Sequence, residues 1–355
     1  MKKPLGFMFL AISLLFSTAT AHAAVNTDLD SYVLFATGEG QNDASAILSF
    51  KGGNTAGTGY VLGGNVGANR VDGLTNNGTS MIAVGVNGDF IMSPGTQLVG
   101  DTIRLGPEAV VYDVYRRDTV PDGELGVGWG TPGVVNGTKY SFSAPIFNPM
   151  PSLFDPTFTA GSLDITVTKG GLYDGTTLAP GAYGVLNVQD GATIHLTAGT
   201  YTFSRFRTGQ GFTVYTAPGT IIQVAGDGLN NGADLQFNGN GSYVGSAVTG
   251  VESVALFRYL GTDVQFSDSS TFYGVILAPD ASIGLGRAMD LYGRFVGAEI
   301  HSDFNDNIWY RNFTPVPIPS TMLLLGSGLA GLVGIGRWGR GRNTKASSPK
   351  RGGLI

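Results

Sequence analysis

The stretches 261-GTDVQFSDSSTFYGVILAP-279 and 280-DASIGLGRAMDLYGRFVGA-298 repeat one another with a period of 19 residues. Val264 falls on Ile283, Phe266 on Leu285, Phe272 on Leu291, Tyr273 on Tyr292, Gly274 on Gly293 and Ile276 on Phe295. Within each copy, apolar residues alternate over four to six positions and then break at Gly, Asp, Asn or Ser. That is the period-two pattern of short half-buried strands with turns between them. An earlier copy, 232-GADLQFNGNGSYVGSAVTG-250, repeats the GxDxQF opening, and a ten-residue strand-like insert, 251-VESVALFRYL-260, separates it from the next. Upstream, Gly199-Thr200-Tyr201 and Gly219-Thr220-Ile221 recur at twenty.

A twenty-residue unit made of short strands cannot bury its inward face alone. Stacked copies can, each strand pairing with its equivalent one rung below. The fold expected is therefore all-β, a parallel β-helix (solenoid) with 19–20-residue rungs. Ten rungs spaced about 4.8 Å apart make a rod on the order of 50 Å long. A twisted sandwich is the alternative, but the regular spacing and the lack of two-residue hairpin turns favour the coil. Residues 31–120 have the same character, as in 80-SMIAVGVNGDFIMSPGTQLVG-100. Between the two β regions lie Pro121, Pro132, Pro145, Pro149, Pro151 and Pro156. So much proline excludes strand interiors. The divisions read from the sequence are a leader over 1–23, an N-terminal β region over 24–120, a Pro-rich excursion over 121–160 and β-helix repeats over 161–314. One continuous solenoid with a long excursion is favoured over two β domains.

Both ends carry addresses. Lys2 and Lys3 precede an apolar run from Leu5 to Phe16, and small residues then lead to Ala21-His22-Ala23. This is the pattern of a secretory signal peptide with its cleavage site marked by Ala21 and Ala23. At the other end an uncharged span of 17 residues, Ser320 to Gly336, reaches the lower length limit of a membrane helix. The apolar stretch runs from Met322 to Ile335, and Arg337, Arg340 and Arg342 hold its far end in the cytoplasm. Gly326, Gly328 and Gly331 match a dinucleotide fingerprint, but no strand precedes them, so the match is fortuitous.

The motif Val316-Pro317-Ile318-Pro319-Ser320-Thr321, followed by MLLLGSGLAGLVGIGRWGRGR, resembles the PEP-CTERM sorting signal. Ile318 stands at the position of the name-giving Glu, as in the apolar variant of that motif. The resemblance covers residues 315–342 and leaves 343–355 as a basic cytoplasmic tail. It implies export in a Gram-negative, exopolysaccharide- and biofilm-producing bacterium. It also implies an inner-membrane intermediate held by the C-terminal transmembrane helix, then cleavage by an exosortase-type membrane protease and delivery to the cell surface or medium. A second resemblance covers 159–303. There LAPGAYGVLNVQDGATIHLTAGTYTF and STFYGVILAPDASIGLGRAMDLYGRFVGAEI resemble choice-of-anchor A surface domains, and the later stretch is also similar to ice-binding-like β-solenoids. These positions are Gly, Pro and apolar, so they imply fold and location but no catalytic residue.

Eight of the 21 cations lie in the terminal segments, at Lys2, Lys3, Arg337, Arg340, Arg342, Lys345, Lys350 and Arg351. None of the 26 acids does, which leaves the passenger at net −13. Such a body repels nucleic acid and anionic lipid. The absence of cysteine in an exported chain leaves stability to the core and to backbone pairing. The 56 glycines suit turns rather than helices.

Catalytic motifs are lacking: there is no HExxH, GxSxG or GxxxxGK. His195 sits in Ile194-His195-Leu196 as an outward strand residue. His301, with Asp303 and Asp306 nearby, is a weak candidate for metal. The Gly226–Asp234 loop and the Asp303/Asn305/Asn307 alternation supply oxygens at calcium-loop spacing. The second lacks the Gly and Glu such a loop requires, and turn capping explains both. Arg205 and Arg207, with Tyr201 and Tyr215 on adjacent rungs, form a candidate sugar-binding stripe. Thr193, Thr197, Thr200, Thr202, Thr213 and Thr216 keep no single register, which disfavours ice binding. No catalytic residue, metal or cofactor is assigned. The expected function is a non-enzymatic structural or adhesive surface protein associated with exopolysaccharide. The alternatives are a polysaccharide lyase or hydrolase on the same scaffold, and an ice-binding protein.

Overall fold

The computed structural model describes residues 25–38, 46–51, 59–69, 80–85, 89–106, 108–117, 133–142, 146–147, 151–226, 233–246, 254–303 and 305–313. They form one parallel sheet of 28 strands, consistent with a β-solenoid. Strand n bonds to strand n+3 through the regular part of the coil. Val185–Val188 pairs with Arg205–Thr208, Thr193–Leu196 with Thr213–Thr216, and Gly199–Phe203 with Thr220–Val224. Each turn thus contributes one strand to each of three faces. The face holding Gly199–Phe203 is called A, that holding Val185–Val188 is B, and that holding Thr193–Leu196 is C.

The alternation read from the sequence sorts side chains in and out. On face B one inward column runs Ile165, Leu186, Phe206, Leu235, Val264, Ile283, Ile300, Leu48, Ile82, Ile103. Every member is buried, and each such side chain stabilises the fold by roughly 1.5–3 kcal/mol through burial. The 19-residue repeat is reproduced in register: Val264 lies on Ile283, Phe272 on Leu291, Tyr273 on Tyr292, Gly274 on Gly293 and Ile276 on Phe295. The C–A corner leaves no room there. A Cβ on Gly293 would stand 1.7 Å from the Gly274 carbonyl oxygen.

That column also reveals an order of rungs that differs from the order of the chain. The strand Asp290–Ser302 is followed in space by the first strands of the chain. Leu34 pairs with Phe295 on face A, Leu48 with Ile300 on face B, and Val61 with Ile308 on face C. The first described strand, Tyr32–Ala36, therefore lies at the middle of the rod, and the chain runs from there to one end at Lys139–Phe142. It then returns along the outside and climbs from Ile165 at the other end back to the middle. Face A carries eleven strands from Gly181–Ala182 to Lys139–Phe142, so the rod is about 50 Å long.

Polar contacts reinforce this seam. The buried Arg294 pairs with Asp30 and donates to the Leu29 carbonyl. The Thr37 hydroxyl donates to the Pro279 carbonyl at 2.7 Å, and Lys51 pairs with Asp303 at 2.7 Å.

Phe142 and Ile165 stand at opposite ends of the rod, and an extended chain of this length reaches between them. Pro151 and Pro156 lie in the described part of this returning segment, outside any strand, where proline favours extended backbone and needs no amide partner. Ile146, Phe147, Leu153 and Phe154 pack on the outward Phe35, Val296, Leu277 and Leu256. Phe147 and Asn69 bond each other twice, the backbone amide to Oδ1 at 3.0 Å and Nδ2 to the carbonyl at 3.1 Å. Val25 and Phe313 pack against the same cluster.

Three expectations need correction. Gly199 pairs with Thr220, not Gly219, because the buried Tyr201 must lie over the buried Ile222. The stretch 251–260 is no insert: Ala255–Tyr259 is the face-A strand of its own rung. Within 121–160, Val134–Val135 and Lys139–Phe142 extend the sheet, and none of the six prolines falls in them.

Candidate functional site

The terminal signals, Ala21, Ala23, Val316, Pro317, Ile318, Pro319, Ser320, Met322, Ile335, Arg337, Arg340 and Arg342, lie outside the described residues. Among the described residues no helix is long and apolar enough to cross a membrane. The candidate sugar stripe does not assemble. Tyr201 points inward and donates to the Leu178 carbonyl, Tyr215 stands on face C, and Arg205 and Arg207 stand on face B. Inward and outward positions alternate along a strand, so nearness in sequence placed them on different sides. Both arginines converge on the buried Asp234, with Arg205 Nε 2.9 Å and Arg207 Nη2 3.7 Å from its Oδ1. Burial raises the Asp234 carboxyl despite these two cations.

His301, Asp303 and Asp306 do not converge either. His301 Nε2 meets Glu299 at 3.2 Å and Asp303 meets Lys51. Asp306 is fully buried, accepting from the Met289 amide at 3.0 Å and the Ser302 hydroxyl at 2.5 Å, and burial pushes its carboxyl up to about 7. Among the described residues no group of three potential ligands could hold a metal ion. Of the six threonines weighed for ice binding, Thr193 and Thr213 share a column, which Tyr243 interrupts.

Much of the acidity has a structural use. Asp164, Asp174, Asp190 and Asp268 accept the backbone amides of Val185, Thr193, Gln210 and Arg287 on the neighbouring rung, at 2.7–2.9 Å. These carboxylates staple one turn of the coil to the next. The bonds hold the Asp174 and Asp268 carboxyls below the usual carboxylate range.

Two outer surfaces remain after face A is covered. On face C an aromatic ladder runs His195, Tyr215, Tyr243, Tyr273, Tyr292, Trp309. Its centroids are 4.8, 5.7, 5.8, 4.3 and 4.4 Å apart. The sequence comparison had aligned only Tyr273 with Tyr292. Tyr273, Tyr292 and Trp309 form a nearly parallel stack, with interplanar angles of 4° and 7°. Tyr292 is thus stacked on both faces, while Tyr243 is tilted by 56° and 53° to its neighbours, and the ladder acts as an outer brace worth about 0.5–1.5 kcal/mol per pair.

Face B is different. Its outward row reads Thr166, Asn187, Arg207, Gln236, Gln265, Gly284, His301. Along it lie two adjoining depressions, of about 440 and 510 Å³, that share Asn238. Asn238 is fixed between rungs, its amide donating to Thr208 Oγ1 at 2.9 Å while its Oδ1 accepts from Ser267 Oγ at 3.3 Å. The acids at the rim are engaged: Asp268 with Arg287, Asp190 with the Gln210 amide and Asp303 with Lys51. What the groove offers is a strip of side-chain amides and hydroxyls along the rod axis, with Lys169 and Arg207 among them. The sequence carried a signal for it, because the glutamine in each GxDxQF opening is Gln236 or Gln265.

Comparison with family models, with curated proteins and with solved structures finds no match to this chain.

Proposed function

We propose that this chain is an exported, non-enzymatic β-solenoid of the cell surface or extracellular matrix, structural or adhesive in role and associated with exopolysaccharide. The observation that carries this reading is the face-B groove, a straight polar strip whose acidic neighbours are already committed to ion pairs and backbone amides. Amides and hydroxyls in a row suit a long hydroxylated polymer. The terminal sequences support export, and the tail is the substrate of an exosortase-type protease that releases or attaches the rod. Val25 and Phe313 leave the rod together on face A, so a tether there leaves faces B and C open to the matrix.

Deleting residues 315–355 is expected to move the protein from the membrane fraction to the medium. An unchanged distribution would sink the sorting claim. The purified passenger is expected to bind the producer's own polysaccharide without creating reducing ends or unsaturated sugars. New ends would make it a polysaccharide hydrolase or lyase instead.

A further inference from the structure

We infer that the face-B groove is a binding site for a single extended, uncharged polysaccharide chain lying along the rod axis, with Gly284 as the floor on which the sugar rests. This rests on the adhesive reading above and adds the site, the pose and the ligand class.

Gly284 is the decisive residue. It sits inside the strand Ser270–Leu285, its Cα paired with Gln265 on one side and His301 on the other. A strand interior disfavours glycine, which loses conformational entropy and packs nothing. Other strand glycines here have a packing reason. A Cβ on Gly274 would meet the Phe272 ring at 2.4 Å, and one on Gly297 would meet Ile283 at 2.8 Å. At Gly284 the nearest atom to an added Cβ is the Val264 carbonyl oxygen, at 3.8 Å, and the backbone is not left-handed. Neither packing nor conformation calls for glycine at that point. Close approach of a ligand to the backbone does.

The geometry around Gly284 selects the ligand. Asn187, Gln236 and Gln265 present amides along the row, with Arg207 on the rung between the first two, and neighbouring rungs stand about 4.8 Å apart. A straight β-1,4-linked pyranose chain advances by a similar step per sugar, so successive residues meet successive rungs. A coiled or flexible glycan loses that match after one or two sugars. Gln265 Nε2 donates to Asp263 Oδ2 at 2.6 Å and Gln236 Nε2 to Asn238 Oδ1 at 3.4 Å, which fixes both side chains and leaves each with its Oε1 and a second N–H for a sugar hydroxyl. Charge does not favour a polyanion: the groove lining sets Lys169 and Arg207 against Asp190, Asp268 and Asp303, and the passenger is net −13.

The test uses the secreted chain lacking the two terminal signals. Binding is measured by titration calorimetry with cellohexaose, mannohexaose and xylohexaose, with a dextran hexasaccharide and a polyuronate hexasaccharide as contrasts. At least one of the β-1,4 neutral hexasaccharides is expected to bind, and the contrasts at least about tenfold more weakly. Gly284→Gln is expected to keep or raise the melting temperature, because it replaces a strand glycine where there is space, while weakening binding at least about tenfold. Gln265→Ala is expected to weaken it about fivefold to tenfold. If no neutral β-1,4 hexasaccharide binds, the inference falls. If one binds and Gly284→Gln binds it equally well, the groove assignment falls while the adhesive reading stands.

Discussion

The two halves of the rod share one sheet but fill it differently. Below the seam, from Ile165 to Tyr310, the interior is aromatic. Phe237 touches Phe206, Phe257, Phe266 and Phe272 with centroids 4.6–5.6 Å apart, and Phe272 reaches Phe295. Above it, from Tyr32 to Phe142, the inward core is mainly aliphatic, with Val66, Ile82, Val84, Leu98, Ile103, Leu105 and Val111 and the ring pair Phe50 and Phe90, while Tyr32–Phe35 and Tyr115–Tyr140 belong to the outer cluster on face A. The lower half also holds the aromatic ladder and the groove. Interlocking rings tolerate little variation in rung width, so the lower rungs are regular and can carry a periodic outer surface. Branched aliphatics fill a less regular coil.

The largest expected effect breaks this contrast at its centre. Phe237→Ala, which removes four ring contacts and leaves a cavity, should destabilise by about 3–5 kcal/mol. Leu98→Ala in the upper half should cost about 2–3 kcal/mol, the low end of the range for such truncations. Urea denaturation measures both, and equal losses would remove the distinction. At the seam, Asp30→Ala leaves the buried Arg294 without its carboxylate. Because Asp30 is largely exposed, the expected loss is about 1–2 kcal/mol.

A further effect is a pH slope. The Asp306 carboxyl is raised to about 7 from an ordinary 3.8, so its protonated form favours the folded state. That contribution is complete below the ordinary value and is lost as pH rises through about 7. Asp306→Asn should flatten the decline of stability between about pH 4 and 7. Asp174 and Asp268, held low, act in the opposite sense: their contribution is present above the ordinary carboxylate range and lost in acid. Asp268→Ala should therefore leave the slope above pH 5 unchanged. Stability curves of the two variants against pH check this.

The lower half was the more legible in sequence for the same physical reason. Crowded positions such as Gly274 and Gly293, and rings stacked in register, repeat because each rung constrains the next. Tyr215, Tyr243 and Trp309 were missed as a ladder because they recur at unequal intervals, set by loops whose length does not affect stacking. Gly199 was misaligned by one residue because its sequence match lay in the turn and not in the buried column. Gly284 hid in the repeat as one more turn-like glycine; only the empty space beside it sets it apart. The seam left no sequence trace at all. It joins Leu34 to Phe295 through backbone bonds and generic apolar packing, which any two strands of similar character can share.

That seam, with the first described strand in the middle of the rod, is the central claim and can be tested by one cross-link. Ser49 and His301 are paired outward residues on face B, one from each side of the seam. Neighbouring strands in register bring such pairs within disulfide reach, and the chain has no cysteine to interfere. The double variant Ser49→Cys with His301→Cys should form an intramolecular disulfide on mild oxidation of the folded protein, seen as loss of both free thiols at monomer mass. Two free thiols under conditions where Gln236→Cys with Gln265→Cys becomes fully oxidised would contradict the stacking of the first strands on the last rung.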